Sequence, residues 1–195
     1  MDSLGLGNVQ GQVRAHRVTD EIWTPCTQLK PNLVVYEWTQ LVSKLLTTGD
    51  SRYRIAGMYL EFENKASSGA TISIPTFDRT RNVTYYTSMM PSVGGLARDY
   101  LRVPLTANQT LSVGTGLTNN QLIFFARSSG TAGVKNTPFD STNNSTIFGA
   151  SLVAFVDATD ATRDLVLSSF YFAAGDQQQK LPTSQIGVEW QVTLQ

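Results

Sequence analysis

The sequence predicts a mainly β fold, an antiparallel β-sandwich or jelly roll of about eight strands with one amphipathic α-helix near residues 32–48. Three observations carry that reading. One stretch has the apolar spacing of a long helix: Val34, Val35, Trp38, Leu41, Val42, Leu45 and Leu46 step by three and four and so share one face of a 3.6-residue period. Two others, Ile55 to Glu63 and Ile186 to Leu194, alternate with the period of a strand. Turn residues divide the rest too closely for a helix between most strands, which a parallel α/β sheet requires.

Taken in order, residues 1–12 are polar and Gly-rich with spaced Leu4, Leu6 and Val9, which reads as an extended arm lying on a neighbour or as a frayed end. Val13 to Val18 suits a short strand. Residues 21–31 hold Pro25 and Pro31 and read as irregular, with Trp23 anchored in the core or an interface. Residues 1–31 are thus an arm with an irregular segment, and residues 32–195 a single sandwich domain. Asn32 stands where a helix N-cap belongs and Gly49 where a left-handed stop belongs. In the strand that follows, Met58, Leu60 and Phe62 are expected against the helix stripe, and Tyr59, Glu61 and Glu63 on a solvated outer face.

Thr71 to Ile74 reads as a strand, and residues 76–95 as a long surface loop around a strand-like VTYYTSM. Its Tyr85, Tyr86, Met89 and Met90 are either adaptable contact residues or ordinary sheet and core residues. Asp99 to Leu105, Thr110 to Val113 and Gln121 to Arg127 read as strands. Residues 128–146 read as an exposed, Ser/Thr/Asn-rich excursion around Pro138 and Phe139. Ile147 to Asp157, Leu165 to Ala173 and Ile186 to Leu194 complete the strands, with a turn at Asp160 to Asp164.

Charged residues make up 15% of the 195 residues, and fifteen basic residues cancel fifteen acidic ones. Without a basic patch a nucleic-acid partner is not expected. A balanced charge suits a protein that lives in an assembly. One cysteine, Cys26, cannot form an internal disulfide, which points to folding in a reducing compartment. No secretory leader or membrane span is expected, so the Asn-x-Ser/Thr matches at Asn82, Asn108, Asn143 and Asn144 reflect composition.

Chemistry-bearing motifs are sparse. A Ser or Cys triad would have to use His16, which is expected to be solvated near the terminus. One His and one Cys do not make a zinc site. Glu61 and Glu63, two apart on one strand face, could stand roughly 6–7 Å apart. That is a glycosidase-like separation, without an aromatic sugar cleft in the flanking residues. Asp157, Asp160 and Asp164 lack EF-hand spacing and read as turn-formers. GLGNVQG neither follows a strand nor opens a helix, so no dinucleotide is expected, and no cofactor at all.

The unit NLVVYEWTQLVSKLLTTGDSRYRIAGMYLEFEN, followed by IPTFDRTRNVTYY and RDYLRVPL, resembles small structural proteins of tailed, podovirus-like bacteriophages over roughly residues 30–105. The resemblance implies a non-enzymatic virion protein, folded in the host cytoplasm, that decorates the capsid or belongs to the tail. Its partners would be itself, as a trimer or higher ring, and major capsid or tail proteins. No catalytic residue carries across. The expected contact residues are Leu4, Leu6, Val9, Trp23, Tyr85, Tyr86, Met89, Met90 and Phe139. The other reading is a carbohydrate- or receptor-binding module of a phage fibre, touching a host surface glycan through aromatics near Tyr85, Tyr86 and Phe139.

Overall fold

The structure, a computed structural model, describes residues 9–64, 79–87, 97–106, 121–128, 145–180 and 184–194. In chain order its elements begin with β1 (Val9–Thr19), β2 (Ile22–Pro25), β3 (Lys30–Pro31), β4 (Leu33–Val34), α1 (Glu37–Thr48) and β5 (Ile55–Asn64). They continue with α2 (Val83–Thr87), β6 (Ala97–Pro104), β7 (Gln121–Arg127), β8 (Ser145–Ala154), β9 (Leu165–Tyr171), β10 (Gln178–Gln179) and β11 (Gln185–Leu194). The first sheet runs β2-β1-β11-β7, with β3 also on β1, and the second runs β4-β9-β8-β5-β6, with β10 on β8. Every pairing is antiparallel. The expected strands at 71–74 and 110–113 lie outside the described residues.

Strand alternation builds the core. Val13 and Ala15 of β1, Val188, Trp190 and Val192 of β11 and Phe124 and Ala126 of β7 face inward from the first sheet. Met58, Leu60 and Phe62 of β5, Ile147, Ala150 and Leu152 of β8 and Phe170 of β9 meet them from the second. The row Met58, Leu60, Phe62 therefore packs on the opposite sheet and not, as expected, on the helix. A register irregularity between Ile55 and Gly57 turns Ile55 onto the core as well.

Residues 9–31, expected as arm and irregular segment, are built into the first sheet: β1 pairs with β11 from Val9↔Leu194 to Val18↔Gln185. The chain then crosses between sheets at Asn32, because Lys30–Pro31 lie on β1 while Leu33–Val34 lie on β9. Asn32 is not the helix cap. With its amide oxygen turned to the core it accepts from Trp190 Nε1 (2.5 Å) and Ser168 Oγ (3.3 Å), and its amide nitrogen donates to the Gly11 carbonyl (3.0 Å). A Cβ on Gly11 would lie 2.1 Å from that side chain, so the crossing needs glycine there.

The helix starts later than its apolar stripe suggests. Val35 N–H donates to the Leu167 carbonyl (3.1 Å), which extends the β4 pairing and leaves Tyr36 as the first cap residue. Branched Val34 and Val35 suit that extended backbone. Gly49 closes α1 at φ 61°, its N–H bonded to the Leu45 carbonyl (3.0 Å). Within α1 only Leu41 is buried, against Ala154, Val156, Leu165 and Leu167, while Trp38 touches both this cluster and the main core. Leu41→Ala should therefore cost about 2–5 kcal/mol in urea denaturation, whereas Leu46→Ala, at an 80% exposed position, should stay within about 0.5 kcal/mol.

Candidate functional site

The polar side chains that could carry chemistry gather on the outer faces of the two sheets. On β5, alternation turns Tyr59, Glu61 and Glu63 away from the core, yet all three are 0% exposed. The expectation of a solvated face fails because residues 79–87 cover Tyr59 and Glu61, and Glu63 is likewise buried. Asn82 caps the short helix α2, its Oδ1 accepting from Thr84 N–H (3.0 Å), and so VTYYT is helical where a strand was expected. α2 lays Tyr85 and Tyr86 on the sheet. Tyr86 is buried and donates its phenol proton to Glu61 Oε1 (2.7 Å). A hydroxyl has one proton, so toward Ser151 Oγ (2.5 Å) the same oxygen accepts. Ser151 in turn meets Ser169 Oγ at 2.8 Å.

Arg81 completes the cover. Its Nη1 stands 3.9 Å from Glu61 Oε1 and donates to the Tyr171 hydroxyl. Its guanidinium lies 3.9 Å over the Tyr85 ring and 4.8 Å over the Tyr171 ring. Tyr59 and Tyr100 pack around Tyr86 at ring distances of 4.6 and 5.2 Å. Tyr59 donates to Asp164 Oδ2 (2.6 Å), which Arg102 holds through Nε (2.7 Å) while its Nη2 reaches Oδ1 (2.9 Å). Asp157 and Asp160 shape the turn before β9: Asp157 Oδ1 accepts from Thr159 and Asp160 N–H, and Asp160 Oδ1 from Thr162 N–H. Asp164, expected with them as a turn-former, is the buried partner of Tyr59 and Arg102.

Burial, and then the Glu61 charge, push the Tyr86 phenol well above its ordinary range, and the same two causes raise Tyr171. Burial disfavours the Arg81 charge, but Glu61 and the surrounding phenols outweigh it and raise its pKa. At neutral pH these phenols stay protonated and donate. The arrangement is a lock that fastens α2 to the sheet. Tyr86→Phe removes a buried hydrogen bond to a carboxylate and should cost about 1–3 kcal/mol in thermal or urea unfolding, while Tyr36→Phe, at an exposed position, should be neutral.

The outer face of the first sheet holds a second constellation. His16, expected to be solvated, is 3% exposed, because strand alternation places it under Trp23 and Phe125. Its Nε2 lies 2.9 Å from Glu189 Oε2, which also takes Arg14 Nε at 2.6 Å, and Gln191 donates to Glu189 Oε1 (2.7 Å). Burial pushes the Glu189 carboxyl up, but the bonds from His16, Arg14 and Gln191 outweigh it and hold the pKa at about 2. Against an ordinary value of 4.5, the unfolded chain takes up this proton first as pH falls. The stabilisation is thus full above about pH 4.5 and is lost toward pH 2. Glu189→Gln should flatten the fall in melting temperature across that window, measured against the parent chain.

Of the expected contact residues, Val9 lies on β1, partly buried against the core, and Trp23 lies on β2, partly buried beside His16. Tyr85 is half-buried and Tyr86 buried under α2, so neither stands out as a loop aromatic. Leu4, Leu6, Met89, Met90 and Phe139 lie outside the described residues. Cys26 is a free thiol, its Sγ 3.6 Å from the Thr24 carbonyl. Among the described residues, the exposed large apolar side chains are Leu46 (80%), Ile22 (68%), Tyr36 (60%) and Leu45 (36%). Both leucines were expected on the buried stripe of the helix, but α1 buries only Leu41 and leaves them in water. Ile22 and Tyr36 carried no signal of their own.

Among the described residues no three of His, Cys, Asp and Glu are grouped to hold a metal ion, and no helix is long and apolar enough to cross a membrane. Comparison with protein-family models, with curated proteins and with solved structures finds no match to this chain.

Proposed function

We propose that the chain is a non-catalytic structural protein of a bacteriophage particle, in the capsid shell or the tail. It works by burying apolar side chains against copies of itself and against neighbouring virion proteins. The observation that carries this reading is the unburied apolar surface along and beside α1, where Leu46, Leu45 and Tyr36 face solvent. Apolar side chains left in water are surface that a neighbouring subunit would bury favourably. Leu46, 80% exposed, would contribute about 1.5–3 kcal/mol once covered, and a ring repeats such a contact at every subunit boundary.

Two further features support it. The carboxylates best spaced for acid–base work, Glu61 and Glu63, are both fully buried, and Glu61 accepts from Tyr86. The charge balance of fifteen against fifteen removes net repulsion between copies. On this reading the protein folds in the host cytoplasm and ends in the virion. Light scattering on a sizing column should give a trimer or larger ring for the parent chain, shifted to monomer by Leu46→Glu combined with Tyr36→Ser. A parent chain that elutes as monomer at every concentration, and is missing from purified particles by quantitative mass spectrometry, would count against the reading.

A further inference from the structure

The two sheets differ in what lies over them. The outer face of the second sheet is closed by α2 and Arg81, whereas on the first sheet Trp23, Phe125, Arg14 and Gln191 remain partly exposed. Trp23 sits on edge strand β2 and reaches across β1 to β11, where a Cβ on Gly187 would lie 2.3 Å from its ring. Phe125 on β7 meets it at 5.3 Å with the ring planes at 79°, so the two rings form an L-shaped corner. His16 lies beneath, 5.5 Å from Trp23.

Several buried polar atoms at this end of the sheet have no hydrogen-bond partner: His16 Nδ1, Ser184 Oγ, Gln185 Oε1 and Arg17 Nε. Alternation turns Arg17 and Ser184 to the core side, and His16 and Gln185 to the outer face. His16 is opposite Gly187, and Val18 is flanked by Trp23 on one side and Gln185 on the other. Buried polar groups left unbonded cost free energy, and the two on the outer face beside Trp23 call for an explanation. Arg14 adds donors at the rim: its Nε is used by Glu189, and no hydrogen bond is made by its terminal nitrogens.

We propose that this corner is a saccharide-binding site. Trp23 and Phe125 take the apolar C–H face of a sugar ring, and Gln185, His16 and Arg14 take its hydroxyls. A hydroxyl both donates and accepts, which matches an amide oxygen, an imidazole nitrogen and guanidinium donors together. An anion cannot donate to Gln185 Oε1 and would face the Glu189 carboxylate. An apolar ligand would leave both orphaned atoms unbonded. His16 is 3% exposed beneath Trp23, so Trp23, on its four-residue edge strand, is the side chain that shifts to let the ligand reach it.

The test is saturation-transfer NMR and a glycan array on the full chain, with neutral oligosaccharides, sulfated or sialylated ones, and an aromatic peptide as separate arms. Neutral saccharides should bind, and Trp23→Ala or Phe125→Ala should weaken them about tenfold or more. Arg14→Gln should weaken them severalfold, and Tyr36→Ser should leave them unchanged. Should Trp23→Ala fail to fold by circular dichroism, Phe125→Ala and Arg14→Gln decide the matter. Absence of saccharide binding at millimolar concentration, binding of the peptide or anionic arm alone, or affinities untouched by these substitutions would overturn the proposal. None of these outcomes bears on self-association, which is read separately by light scattering.

Discussion

Asn32 stands where the chain leaves one sheet for the other, and its amide bonds to both: to Gly11 and Trp190 on the first sheet and to Ser168 on the second. Trp190 is fully buried at the centre of the sandwich, and its indole N–H must find an acceptor there or lose the hydrogen bond it made to water. The crossing strand brings the acceptor to it. Close approach is possible because Gly11 has no side chain in the space the amide fills. Once this point is fixed, β4 falls into register on β9, the helix that follows is delivered to the end of the sandwich, and Glu37 in its first turn bonds Val166 N–H at 2.6 Å.

Much of the sandwich was legible because its signals are local. Alternation in Ile186 to Leu194 and in Gly57 to Glu63, and the apolar run Gln121 to Arg127, report a strand's two faces directly. The helix could be read for the same reason, along with its stop at Gly49. Its start could not. Val34, Val35 and Leu41 share a helical spacing, and only the pairing of residues 33–35 with β9, a contact between distant parts of the chain, decides that the first two are strand. Asn32 looked like a cap because capping and core bridging use the same amide.

The polar clusters were hidden for a related reason. Alternation shows that Glu61 and Glu63 leave the core side, but nothing in β5 says whether water or another segment waits there. Tyr86 lies twenty-five residues further on, in a stretch whose branched and aromatic residues favour a strand by propensity but form a short helix behind the Asn82 cap. His16 was similarly misplaced: its burial comes from Trp23 and Phe125, which reach it from the two strands at the sheet's margins. The result is one sandwich with two unlike exteriors, one fastened shut by phenols and paired charges, the other open around an aromatic corner.

The placing of the three tryptophans makes the molecule its own set of optical reporters. Trp190 is sealed in the middle and bonded to an amide, Trp38 is wedged between the helix and the sandwich, and Trp23 lies on an outer surface beside an imidazole. Their emission colours and quencher sensitivities should therefore separate loosening of the centre, lifting of the helix and events on the outside of the first sheet, without any dye attached.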